Sequence, residues 1–174
     1  ALGATQLVQL SRLQQLERLD IVLPSGAIVA DGFSFQALRE LSVTCWSLAN
    51  LNLFDEQRAP VLDSLVLQLM EDRATEMLAA LRQLRSLTFK YAAPGIDLML
   101  LPLASLTRLQ SLDIRQLRHA NNGALRLSDS LGLSRMSSLT ELKLCAVSDS
   151  RSELESVFAG LVNLRRLTLV QSPM

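Results

Sequence analysis

The residues best suited to chemistry are few and scattered. His119 is the single histidine, so no histidine cluster can hold a metal, and the two cysteines, Cys45 and Cys145, lie 100 positions apart. The glycine-rich phosphate loop, the dinucleotide-binding glycine triplet and the nucleophile elbow are all missing from the sequence. The 17 carboxylates are dispersed along the chain and mark no acid–base pair by their spacing. His119 falls beside Asn121-Asn122-Gly123 and reads as a solvated loop residue. No catalytic residue, cofactor site or metal site is therefore expected.

Bulk composition narrows the remaining classes. The chain has 174 residues, enough for one domain with a substantial core. Seventeen basic residues balance 17 acidic ones, so no overall field attracts nucleic acid or an anionic membrane. Two widely separated cysteines read as reduced thiols, and there is no Asn-x-Ser/Thr sequon. No apolar run approaches the ~20 residues that span a bilayer, so no membrane insertion is expected. Aromatics are only 4% of the chain, whereas leucine fills 40 positions, so one packing site must be filled the same way many times.

The leucines set the elements that would position any functional residue. In Leu103–Ile114, leucine recurs at steps of three to Leu112, followed by a step of two to Ile114. A step of two is a strand signal, because alternate side chains share a face. The same run recurs seven times, with strand-starting leucines at Leu19, Leu41, Leu65, Leu87, Leu112, Leu142 and Leu167. Their separations are 22, 24, 22, 25, 30 and 25 residues. The third copy is degenerate, retaining Leu62, Leu65 and Leu67.

On these L-x-x-L-x-L runs the chain resembles the leucine-rich-repeat superfamily. That resemblance implies an α/β repeat fold, a curved solenoid of about seven coils with a concave parallel sheet and an irregular or short-helical convex side. The positions that usually carry a turn asparagine or cysteine hold Pro24, Trp46, Met70, Ala92, Leu117, Val147 and Ser172. Without an asparagine ladder the chain is similar to irregular intracellular repeats, which implies an intracellular, cytoplasmic location. Residues 1–174 read as a single repeat domain, and the absence of recognisable caps suggests a piece of a longer protein or one covered by neighbouring subunits.

Between strands, Asp72 to Leu84 is expected to form a short helix, as is the segment after the capping box Ser152-x-x-Glu155, with Leu154, Val157, Phe158 and Leu161 on one face. Pro24-Ser25-Gly26, Pro94-Gly95 and Asn121-Asn122-Gly123 signal loops. Leu48-x-x-Leu51-x-Leu53 imitates a repeat but starts too soon after Leu41, and belongs to the return of the second coil.

Function then rests on the residues between and beside the strand leucines, which alternation turns away from the core. The candidate protein-binding face comprises Thr88, Lys90, Ser111, Asp113, Arg115, Glu141 and Lys143. Lys90, Asp113, Arg115 and Lys143 form either a charged binding cluster or a set that neutralises itself across strands. Trp46 reads as core filling ahead of a partner anchor, and Cys145 falls on the concave flank without a feature that activates it. The expected function is a non-catalytic protein-interaction or scaffolding module whose partner is another protein. The resemblance also admits a recognition region of a ubiquitin-ligase adaptor or a nucleotide-binding immune receptor.

Overall fold

Each of the seven two-residue steps lies in a β-strand. The computed structural model describes residues 4–23, 32–45, 53–69, 75–91, 101–116, 130–145, 155 and 158–170. The strands are β1 (Arg18–Leu23), β2 (Glu40–Cys45), β3 (Ser64–Leu69), β4 (Ser86–Tyr91), β5 (Ser111–Gln116), β6 (Glu141–Cys145) and β7 (Arg166–Val170). They pair in parallel in chain order, one sheet from β1 to β7. The register runs Leu19, Leu41, Leu65, Leu87, Leu112, Leu142, Leu167 without a slip. An open parallel sheet in strict chain order, built from a leucine repeat in constant register, is the arrangement of stacked coils, one coil per strand. The fold is that of a leucine-rich-repeat solenoid.

A backbone ladder fixes that register at the strand entrances. Glu17, Arg39, Asp63, Arg85, Gln110 and Thr140 each offer one carbonyl to two consecutive N–H groups of the following coil, at 2.8–3.1 Å. Glu17 O, for instance, accepts from Arg39 N–H and Glu40 N–H. This shared acceptance satisfies the donors that would otherwise be left unpaired where the chain turns into the sheet.

The leucines at steps of three have a different explanation from that of an α-helix. An α-helix would carry them round its surface by about 60° per step, whereas three residues per turn, as in a 3-10 helix, stacks them on one side. The chain takes the second course. Leu106 N–H donates to Leu103 O and Leu109 N–H to Leu106 O, both at 3.0 Å, and the same i to i−3 bonds join Leu133, Met136 and Leu139. The helix expected over Asp72 to Leu84 is accordingly a 3-10 turn at Thr75–Ala80, extended by Leu81 N–H to Leu78 O and Leu84 N–H to Leu81 O. Leu78, Leu81 and Leu84 are all fully buried by this route, which an α-helix of the same length would not achieve.

Among the described residues, short α-helices lie at α1 (Ala4–Ser11) and α2 (Ser130–Ser134). Of the segment after the capping box, Glu155 and residues 158–160 are helical, Phe158 is half-buried and Leu161 buried, while Ser152, Leu154 and Val157 lie outside the described residues. The imitation repeat continues as a return: Leu53 is buried between β2 and β3, with Leu48 and Leu51 outside the described residues. Leu13, aligned with the core leucines of the other coils, is 54% exposed, because α1 places Leu7 in the interior instead. The degenerate third coil uses Ala59, also fully buried, where the others have a large apolar residue. Phe54, Phe35 and Phe33 fill the surrounding space as successive ring pairs 5.9 and 5.7 Å apart.

Candidate protein-binding face

The alternation that buries Leu87, Leu112 and Leu142 turns their neighbours outward. Three columns of side chains result. One column sets Ser86, Ser111, Glu141 and Arg166 side by side, the next Thr88, Asp113, Lys143 and Thr168, and the third pairs Lys90 with Arg115. All seven candidate residues thus lie on one face of three adjacent strands. Thr88, Lys90, Ser111, Asp113, Glu141 and Lys143 are half-buried among their neighbours, and Arg115 is exposed.

The charges on this face are only partly neutralised. Asp113 Oδ2 accepts from Arg115 Nε at 2.8 Å and from its Nη2, a two-pronged contact along one strand. The bond to Asp113 holds the Arg115 guanidinium above the usual arginine range, against a smaller opposing effect of burial. Because the folded value is raised, the guanidinium's contribution is intact below the ordinary arginine value and fades as pH rises through the folded one. Arg115 therefore remains a cation across the whole neutral range. Asp113 Oδ1 is buried without a hydrogen-bond partner. Glu141 Oε2 lies 3.8 Å from Arg166 Nη1, a long contact between exposed groups. Among the described residues, Lys90 and Lys143 have no carboxylate within ion-pair distance.

Cys145 stands on the flank of the same face as a half-buried free thiol. Cys45 lies on β2, while Trp46, His119, Asn121-Asn122-Gly123, Pro24-Ser25-Gly26 and Pro94-Gly95 are outside the described residues. Among the described residues no three His, Cys, Asp or Glu side chains come together as metal ligands, and no helix is long and apolar enough to cross a membrane.

Other residues matter in ways the leucine pattern does not announce. Gln83 is a buried polar side chain whose Nε2 donates to Phe54 O at 3.1 Å and Ala59 O at 3.2 Å, in the preceding coil. Ser138 Oγ donates to Leu109 O at 2.8 Å, and Asn163 Nδ2 to Ser137 O at 2.7 Å. Each of the three stands immediately before the second leucine of its L-x-x-L turn, in a column that also holds Ala37 and Val61 and so gives no uniform polar signal. The three supply part of the inter-coil bonding that an asparagine ladder would give. Gly160 is a close approach: a Cβ there would lie 2.1 Å from Ser134 O, at the end of α2.

No protein-family model matches the chain, and no curated protein matches it in sequence. Among solved structures, that of an internalin from Listeria monocytogenes is similar at 19% identity, covering 93% of this chain and 57% of that one, with a TM-score of 0.46. The chain thus spans a little over half the length of that structure. The assignment to the leucine-rich-repeat fold rests on the sheet order and register, not on this likeness.

Proposed function

We propose that the chain is a non-catalytic protein-interaction or scaffolding module, and that the outward face of β4, β5 and β6 receives its partner. The observation that carries this reading is the register: it gathers Thr88, Lys90, Ser111, Asp113, Arg115, Glu141 and Lys143 on one rigid surface, with two lysines that have no ion-pair partner among the described residues. A stacked parallel sheet holds such a surface at low entropic cost, because its strands are fixed by neighbours on both sides. The repeat type supports an intracellular, cytoplasmic setting. Nucleic acid is disfavoured as partner by the neutral overall charge.

The test is crosslinking in the native complex with a photoreactive reagent that attaches to any side chain, because the only two lysines of the sequence, Lys90 and Lys143, both lie on this face. Partner peptides joined to Lys90 and Lys143 are the expected outcome; crosslinks confined to α1, α2 and the return turns would refute the placement.

A further inference from the structure

The outward sheet face divides into two electrostatic halves, although the chain as a whole is neutral. On β1 to β3 the outward residues include one cation, Arg18, which reaches both carboxylates present, Asp20 and Glu40, each at 3.4 Å. On β4 to β6 three cations face two carboxylates, and both carboxylates are already engaged. Asp113 is taken by Arg115 along its own strand, and Glu141 faces Arg166 of β7.

The register leaves the positive charge uncompensated. Lys90 is the direct partner of Arg115 across β4 and β5, an opposition of like charges that costs stability unless an anion lies between them. Lys143 is the partner of Asp113 across β5 and β6, yet that carboxylate points to Arg115. Two ammonium groups therefore flank an Asp–Arg pair joined through Asp113 Oδ2, from strands about 10 Å apart, twice the usual strand spacing. Ser86, Thr88 and Ser111 beside them are small, which leaves room above the sheet for an extended backbone.

We infer that this half of the face takes an acidic segment of a partner protein, its carboxylates meeting Lys90, Lys143 and the outer edge of Arg115. The inference deepens the protein-binding reading and rests on it. A nucleic acid fits less well, because the outward residues of the described strands include no aromatic side chain on which bases would stack. Glutamate and aspartate side chains need only the ammonium and guanidinium donors present, and contacts of this kind act mainly through encounter rate and specificity.

The probe is a fluorescein-labelled decaglutamate peptide, titrated against the 174-residue chain by anisotropy at low and high salt, with decalysine and a ten-residue oligothymidylate as comparators. Decaglutamate is expected to bind at low salt and to be released at high salt. Lys90→Ala and Lys143→Ala should each weaken it about threefold to fivefold, as for solvent-exposed ion pairs, and the double variant about tenfold or more. Lys90→Arg and Lys143→Arg should retain binding, and Arg135→Ala, on the return side, should leave it unchanged. Three results would overturn the inference: no binding of decaglutamate, an equal loss in Arg135→Ala, or tighter binding of the oligothymidylate. Crosslinking separates the two readings. A neutral or basic partner segment attached to Lys90 and Lys143 removes the acidic-segment inference and leaves the protein-binding face standing. Crosslinks found only on the return side remove both.

Discussion

The middle coils and the last one are built from the same residues in the same register, yet they bury them very differently. Leu142 and Leu144 are fully buried, as are Leu87 and Leu112, whereas Leu167 and Leu169, the register partners of the first two on β7, are 43% and 46% exposed. Side-chain type, strand direction and hydrogen-bond register are shared between them. What differs is the neighbour on the far side: β6 lies between β5 and β7, and no described element lies beyond β7. A coil thus supplies only part of its own core; the rest comes from the coil stacked after it. The first coil makes the same point from the other direction, since Leu19 and Ile21 stay buried where α1 contributes Leu7 to the interior.

The largest effects should fall where coils cover one another on both sides. Leu112→Ala or Leu87→Ala should each cost about 2–5 kcal/mol, through lost burial and the cavity left behind. A chemical melt of the 174-residue chain, read by circular dichroism, measures this. A midpoint unchanged in either variant would place the core elsewhere.

The coil-to-coil contacts come next. Gly160→Ala drives a methyl group into the Ser134 backbone, and should cost about 1–3 kcal/mol as overpacking does. Gly32, at φ 74° but with open space around it, offers a control of another kind: alanine there should cost about 1–2 kcal/mol from left-handed backbone strain alone. A Gly160 variant no worse than wild type would mean that α2 and the last return segment do not touch as described. Gln83→Ala removes the donor to Phe54 O and Ala59 O, and should cost about 1–3 kcal/mol if those carbonyls stay dry. The effect should vanish if water replaces the amide.

The smallest effects belong to the outward face. Glu141→Gln loses a 3.8 Å contact with exposed Arg166 and should change stability by less than about 1 kcal/mol. A larger loss would show that the face is part of the core scaffold, which would undermine its availability to a partner.

How far the sequence could be read follows from the same physics. The seven strand leucines were legible because alternation and a near-constant period depend on residues close in sequence, and each fell on its expected register position. The outward columns were legible with them, so Thr88, Lys90, Asp113 and Lys143 lie together as expected. Whether charges pair is set by rotamer choice, and the turn of Asp113 toward Arg115 could not be read from spacing. The form of the turns was misread over Asp72 to Leu84, since leucines at steps of three satisfy both a drifting α-helix and a stacked 3-10 turn, and only tertiary burial decides between them. Gln83, Ser138 and Asn163 escaped because their partners lie 24 to 29 residues away in the preceding coil. Gly160 escaped for a related reason: a close approach between coils leaves no periodic trace.

The central claim, that each coil's core is completed by the next, is tested most directly by the pair Leu142→Ala and Leu167→Ala in the 174-residue chain. The two positions are register partners on β6 and β7, so backbone context is held nearly constant. The account predicts a loss of about 2–5 kcal/mol for Leu142→Ala and well under half of that for Leu167→Ala, whose side chain already meets solvent. Equal losses at the two positions would contradict it.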